Sequence, residues 1–454
     1  MQGRHPFRRA LVPLAVVALT APPALADLTV GPAGSGAQYE QITDALAATP
    51  LGETIRVAPG SYDAFVVTQG VTIVGAGGGQ SIVKIVSGST EGAIDVTALP
   101  AGQRVVLSGL SIQRNRSSLD GRIEITDCAG SVHLIDVESL LPTIFPVTRY
   151  SDEAVLRVEN SDAVICEHCT LFGWSSSYPQ DWKQGSPAVH AIGSRVWLND
   201  CELRGGRGSE GNGGAALLAV DGSFVQATRS SLQGGDGGAH FGFEWWDIYG
   251  YSGEEGVTIG DSTVVLAGGP GNLVRGGAGH PVDDINWSGG GAAVLLDMDG
   301  VLLRAPDTVL ESGMNGDGSQ STGFEVALGF NSNGLDVVEP ERRTTLGSVD
   351  PVLTVGGQLD IVAAGEPGAT HLAFVGALPI APIEIPGLGQ HVHLDAAQVV
   401  PLAQIQLDGA GLGGYSTTVP LVPQLAGLEF LAQSIDLDFS SLQLSNPALL
   451  FVAQ

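Results

Sequence analysis

The chain has 454 residues, and its 48 Asp and Glu far outnumber its 20 Lys and Arg, leaving a net charge of −28. A surface so negative repels nucleic acid and anionic lipid, so no nucleic-acid partner is expected. Glycine reaches 65 residues while hydrophobic types still make up 43%, which points to tight turns between short buried strands and away from disorder.

The first predicted element is a leader. Arg4, Arg8 and Arg9 precede an apolar run from Ala10 to Thr20, and Ala24-Leu25-Ala26 forms a small-residue cleavage site. This pattern predicts an export signal over residues 1–26. The run is too short to cross a bilayer, and no later stretch reaches about 18 uninterrupted apolar residues, so no membrane span is expected. The mature chain is expected to be secreted or attached to the cell surface. Cleavage removes three of the 20 basic residues and none of the 48 acidic ones, taking the charge from −28 to −31.

In the next segment, "AQYEQITDALAATPLGETIRVAPGSY", Tyr39, Ile42, Ala45 and Leu46 fall on one helical face, the pattern of a short amphipathic cap. Short alternating runs follow, including "GVTIVGAG", "GAIDVTAL" and "IEITDC". From Ala154 the chain repeats a longer sentence of two alternating runs, a polar turn between them and an apolar-x-Gly ending. Leu171, Leu203, Leu232, Val274 and Leu310 mark those endings, spaced by 32, 29, 42 and 36 residues. Period-2 alternation makes each run a half-buried strand, and nothing between the runs resembles a crossover helix. The recurrence predicts a solenoid whose coils stack in parallel, with variable loops inserted at one fixed corner.

Ile42, Ala45, Leu46, Ile55, Val57, Gly60, Tyr62, Val71, Ile73 and Gly75 resemble the amino-terminal pattern of pectin-lyase-like proteins, especially the pectin methylesterases. The resemblance implies an all-β right-handed parallel β-helix with a helical cap over residues 27–338. It carries no activity across. Gln180 and Asp181 are displaced by a loop from where a methylesterase would have them, and the other esterase elements are missing. "VWLNDCEL" has Trp197 and Asp200 but Cys201 where a pectate lyase would carry His, and of the polygalacturonase elements only Asp283-Asp284 has a counterpart.

Residues 339–351, charged and Pro-containing, are expected to be a linker. Residues 352–454 are expected to form a small antiparallel β-sandwich. Gly427, Leu428, Phe430, Gln433, Leu444, Ser445 and Asn446 resemble an uncharacterised carboxy-terminal module of exported bacterial proteins. That module lends no function.

Five of the six Trp fall in inserts that follow the apolar-x-Gly endings. Trp174, Trp182, Trp245, Trp246 and Trp287, with Tyr178, Tyr249 and Tyr251, are candidate ligand-binding residues, because flat rings in a row suit the apolar faces of a linear glycan. The alternative is that the rings close over one another and pin long loops to the solenoid wall. Glu244, Asp247, His280, Asp283 and Asp284 are the candidate acids and bases for a polysaccharide lyase or hydrolase, against the plainer reading of Asp beside Gly as turn chemistry.

Cys169 and Cys201 occupy equivalent places in successive coils, which leaves two readings, buried thiols or a Cys169–Cys201 disulfide. His391, His393 and Asp395 share a strand face that could hold a metal, though solvated residues are the commoner outcome. No cofactor is required, and Ca²⁺ is compatible with the Asp and Gly loops. The leading expectation is non-catalytic binding of polysaccharide or cell-surface glycan. The alternatives are a divergent lyase or glycoside hydrolase and a structural or adhesive envelope protein.

Overall fold

A computed structural model describes residues 27–84, 92–113, 122–140, 154–175, 184–208, 211–241, 248–266, 272–280, 289–297, 300–304, 308–315, 317, 319, 325–328, 345–348, 352–364, 368–376, 383–385, 390–392, 399–409, 412–422, 425, 429–437, 443–445 and 448–453. Alternating runs become strands that wind into three long sheets, called A, B and C here. Sheet A has ten strands, from Leu28–Val30 to Val301–Arg304. Sheets B and C have nine each, from Gly60–Asp63 to Val309–Glu311 and from Phe65–Val67 to Val326–Leu328. Every pairing in them is parallel and in register from coil to coil, as in Leu156↔Val189↔Leu217 and Leu171↔Leu203↔Leu232. Each coil runs A, B, C, and the chain is a right-handed parallel β-helix. The expected cap is the helix Ile42–Ala48, with Ile42 and Ala45 buried at the amino-terminal end of the core.

Two corners are short because one residue in each bends into the left-handed region. Between sheets C and A this residue is Asp127, Asn160, Gly193, Asp221 or Asp261, with φ of 47–57°. Asp and Asn tolerate that conformation better than most residues. The side chain after the bend points inward, and here Ser161, Ser194, Ser223 and Ser262 form a buried column. Each backbone N–H in the column reaches the next hydroxyl, from Cys128 N to Ser161 Oγ at 3.2 Å down to Ser223 N to Ser262 Oγ at 3.0 Å. Between sheets A and B, Asp136, His168, Asp200 and Arg229 make the same bend. Cys169, Cys201 and Ser230 follow the last three of these, and Asn272 is level with Ser230 one coil on, with Cys201 N bonded to Ser230 Oγ and Ser230 N to Asn272 Oδ1.

The carboxy-terminal part is a sandwich. A three-stranded antiparallel sheet faces a larger, mostly antiparallel one, and Leu359, Ile361 and Ala363 of the first share a core with Ala373, Ile405, Ala432 and Leu450 of the second. The expected linker is not all linker: Thr345–Ser348 is a strand paired with Gln358–Ala364, because backbone groups beside an open sheet edge are satisfied by joining it.

The sandwich docks on the outer face of sheet A. Ala163, Ile165 and Trp197 cluster with Leu431, and Phe224, Phe374 and Val399 pack against them. Outward-facing Val106, His133, Ile165, Trp197, Gln226 and Val265 lie in register across six coils, and all are buried. Sheet A is therefore closed to a ligand over those coils, which leaves sheets B and C and the corner between them.

Candidate functional site

The third corner, from sheet B to sheet C, carries every long insert. The chain passes from Thr170–Phe172 to Val189–Ile192, from Ser231–Gln233 to Val257–Gly260 and from Leu273–Arg275 to Val294–Asp297 through this corner. The inserts thus share one rim, as the repeat predicts. The "FGFEWWDIYG" insert contains a hairpin, Ala239–Phe241 against Ile248–Gly250.

Glycines hold the base of the rim together. Outgoing and incoming segments interleave in one backbone column, in which each N–H donates to the preceding carbonyl. The order is Trp174, Ser186, Gly206, Gly214, Gly235, Glu254, Gly277, Gly291 and Gly313, with distances of 2.7–3.1 Å. A Cβ on Gly206 would lie 2.1 Å from Trp174 O, and one on Gly277 would lie 1.9 Å from Gly235 O. No side chain fits between such closely stacked backbones, so these glycines answer to space, and not to a left-handed turn.

Side chains add further ties. Asp236 accepts hydrogen bonds from Ala278 N and from Arg204, both at 3.0 Å. His280 N–H donates to Tyr251 O at 3.2 Å, which joins two successive inserts, and both residues are half-buried. Glu254, part-buried beside them, is pushed up to about 9 by burial, then by the charge of Glu255 and the hydrogen bond between the two carboxyls.

The sequence-derived candidates fare unevenly. Trp174 does not present its ring: it is 3% exposed and belongs to the solenoid core, because Ser186 Oγ accepts its N–H and draws the first residues of the insert inward. Tyr178, Trp182, Glu244, Trp245, Trp246, Asp247, Asp283, Asp284 and Trp287 lie outside the described residues, as do His393 and Asp395. Tyr249 and His391 are placed in strands, with their side chains outside the described part. Of the two readings of Cys169 and Cys201, the structure holds the reduced one. All four cysteines are buried free thiols, and the sulfurs of Cys169 and Cys201 donate instead to Leu134 O and Asn199 O, at 3.3 Å each. Among the described residues no three His, Cys, Asp or Glu are grouped to hold a metal.

A second group on the outer face of sheet C lies beside the rim. Asp95, Glu124, Arg157 and His190 stand in register on four successive coils, and Glu159 flanks Arg157. Arg157 reaches Glu159 at 2.6 Å and Glu124 at 3.9 Å, while Arg122 reaches Glu124 at 2.9 Å. These side chains are only 13–33% exposed, so their charges interact in a partly desolvated layer. Burial, and then the Arg157 charge, lower the His190 pKa, so its imidazole is neutral at pH 7 and able to accept a proton. Three carboxylates, two guanidiniums and a neutral imidazole on one rigid face can bind hydroxyl-rich or charged ligands, and they include the groups needed for acid–base chemistry. The plainer role, a surface ion-pair network, is worth little stability. Reading the insert loops alone missed this group. Its signal is present in "AIDV", "RIEI", "VLRV" and "AVHAI", where the same outward position of successive coils is ionisable.

Three solved structures show how this architecture compares with others. The pectin methylesterase of Aspergillus niger is 13% identical, with a TM-score of 0.35 over 71% of this chain and 90% of its own. A pectin methylesterase in complex with a hexasaccharide is also 13% identical, with a TM-score of 0.27 over 69% and 93%. Tailspike protein 2 of Escherichia coli O157:H7 bacteriophage CAB120 is 9% identical, with a TM-score of 0.27 over 88% and 64%. The architecture is pectin-lyase-like. That statement rests on the three parallel sheets of the chain itself, since likenesses this distant carry no residue-level inference. No family model matches the sequence, and no curated protein matches it.

Proposed function

We propose that the mature chain is an exported β-helix protein that binds extracellular polysaccharide or cell-surface glycan along the side formed by the B-to-C rim and the outer face of sheet C, without catalysing its breakdown. The observation that carries this reading is the single corner from which all the long inserts leave, beside a partly desolvated polar face and opposite a sheet closed by the sandwich. Rings carried on inserts that recur coil after coil would meet successive sugars of a linear polymer. Export is supported by the leader and by the first strand, Leu28–Val30, which begins immediately beyond the expected cleavage site.

Retention on a panel of immobilised acidic and neutral polysaccharides tests the reading. Trp245→Ala with Trp246→Ala, and separately Trp287→Ala, should weaken retention about tenfold, since a stacked ring contributes on the order of 1–2 kcal/mol. Unchanged retention in both, or no retention of the unaltered chain on any glycan, would exclude it. Amino-terminal sequencing of the exported product should begin at Asp27.

One observation favours a second reading, a divergent lyase or glycoside hydrolase centred on sheet C. A neutral His190 stands next to Arg157 and two carboxylates, an acid–base set on rigid strands. New unsaturated or reducing ends that form with the unaltered chain and vanish with Glu159→Gln or His190→Asn would select it.

A further inference from the structure

Three of the four thiols meet inside the solenoid. Cys169 follows the left-handed bend at His168, and Cys201 follows the equivalent bend at Asp200 one coil later. Glu202 N–H donates to Cys169 O at 2.9 Å, which fixes the two coils in step at this point. Neighbouring parallel strands lie about 4.8 Å apart, inside the Cα separation of about 4.4–6.8 Å that a disulfide spans. Cys166 lies within the sheet A strand Ala163–Glu167 of the same coil as Cys169, and its carbonyl accepts the Cys201 thiol at 3.4 Å. The Cys166, Cys169 and Cys201 thiols act on one another's ionisation, which places the three sulfurs close together. Cys128 is separate: it heads the serine column at another corner, and its sulfur donates to Val96 O.

We propose that Cys169 is a branch-point thiol that oxidises in one of two mutually exclusive ways, to Cys201 of the next coil or to Cys166 of its own. The three sulfurs allow one bond and leave one thiol beside it. The cysteines are at most 2% exposed, so oxidation has to occur while the coils assemble and not on the finished solenoid. The Cys169 thiolate attacks a low-molecular-weight or protein disulfide and releases one thiol of that oxidant. Cys201 or Cys166 then attacks the Cys169 sulfur of the mixed disulfide and releases the second. Two protons leave the protein, two electrons pass to the oxidant, and one sulfur–sulfur bond is gained. Burial opposes ionisation of Cys169, but hydrogen bonds from Cys166 and Cys201 outweigh it and bring its thiol down. Cys166 is pushed up by its hydrogen bond to Cys169 and by burial, and Cys201 by burial and by Cys169. Cys169, placed between its own coil's Cys166 and the next coil's Cys201, is the thiol common to both bonds.

The test refolds the full chain with excess oxidised glutathione, blocks free thiols under denaturing conditions and maps the bonds by peptide mass spectrometry. One disulfide per chain is expected, always containing Cys169, with two thiols blocked. Cys166→Ser should retain only the Cys169–Cys201 bond, Cys201→Ser only the Cys166–Cys169 bond, and Cys169→Ser neither. Four free thiols, a bond to Cys128, a Cys166–Cys201 bond in the unaltered chain, or loss of the bond in either Cys166→Ser or Cys201→Ser would overturn the proposal. The two single variants decide the matter even where Cys169→Ser does not fold. The same mapping on chain recovered from an exporting cell addresses export separately, since bonds formed on refolding but absent there would count against export alone.

Discussion

Glu254 shows how one side chain couples the rim to pH. Its carboxyl is raised from an ordinary 4.5 to about 9 in the folded chain, so the fold holds a proton that the unfolded chain releases. The associated stability is fully present below about pH 4.5 and is lost as pH rises toward about 9. Glu254→Gln should therefore raise the thermal midpoint by several degrees at pH 8 and leave it unchanged near pH 4, as read by calorimetry across that range. Glycines make the complementary point about space. Gly277→Ala places a methyl 1.9 Å from Gly235 O, whereas Gly409 has open surroundings. The first substitution should destabilise the chain by roughly 2–4 kcal/mol, and Gly409→Ala should stay within about 0.5 kcal/mol, in denaturant titrations.

Strands and corners behave as columns, not as isolated elements. In the serine column each hydroxyl accepts a backbone N–H from the preceding coil, and Ser194 also donates to Ile192 O at 2.8 Å. Ser194→Ala leaves the buried Ser161 N–H without its acceptor, at about 1–3 kcal/mol, and hydrogen exchange at that amide should accelerate most. The alternating runs read from the sequence become these strands because period-2 burial suits a wall with one dry face. The bends between them were harder to foresee. Asn160, Asp221 and Asp261 look like ordinary polar turn residues until their coils are superposed, when the serine beyond each bend proves to be its neighbour's acceptor.

Docking of the sandwich decides which side of the solenoid is available. Trp197 is the largest group at the contact, and Leu431 of the sandwich meets it. Leu431→Asp puts a charge into an apolar interface and should free the two parts to unfold in separate calorimetric transitions. Acidification should act on the sandwich as well. Burial lowers the His371 pKa against the opposing influence of Asp436, so stability present above about pH 6.5 is lost as pH falls through the lowered value. Glycan retention, if it follows the rim, should survive Leu431→Asp because the rim lies away from sheet A.

Alternation, repeated endings and a capping helix are local patterns, and they suffice to specify a wound ribbon whose inserts share one corner. A stacked coil lets such strands pair in parallel without crossover helices. Side-chain placement followed a different rule. Trp174 reads as a ring offered to a ligand yet fills the core, and the spacing of Cys169 and Cys201 leaves thiols and a bridge both open until the structure shows thiols. Asp95, Glu124, Arg157 and His190 are far apart in the chain yet form one column. These outcomes depend on contacts between coils roughly 30 residues apart, and on a sandwich folding back over sheet A. Only the assembled tertiary structure supplies such contacts, because no short window of residues contains both partners.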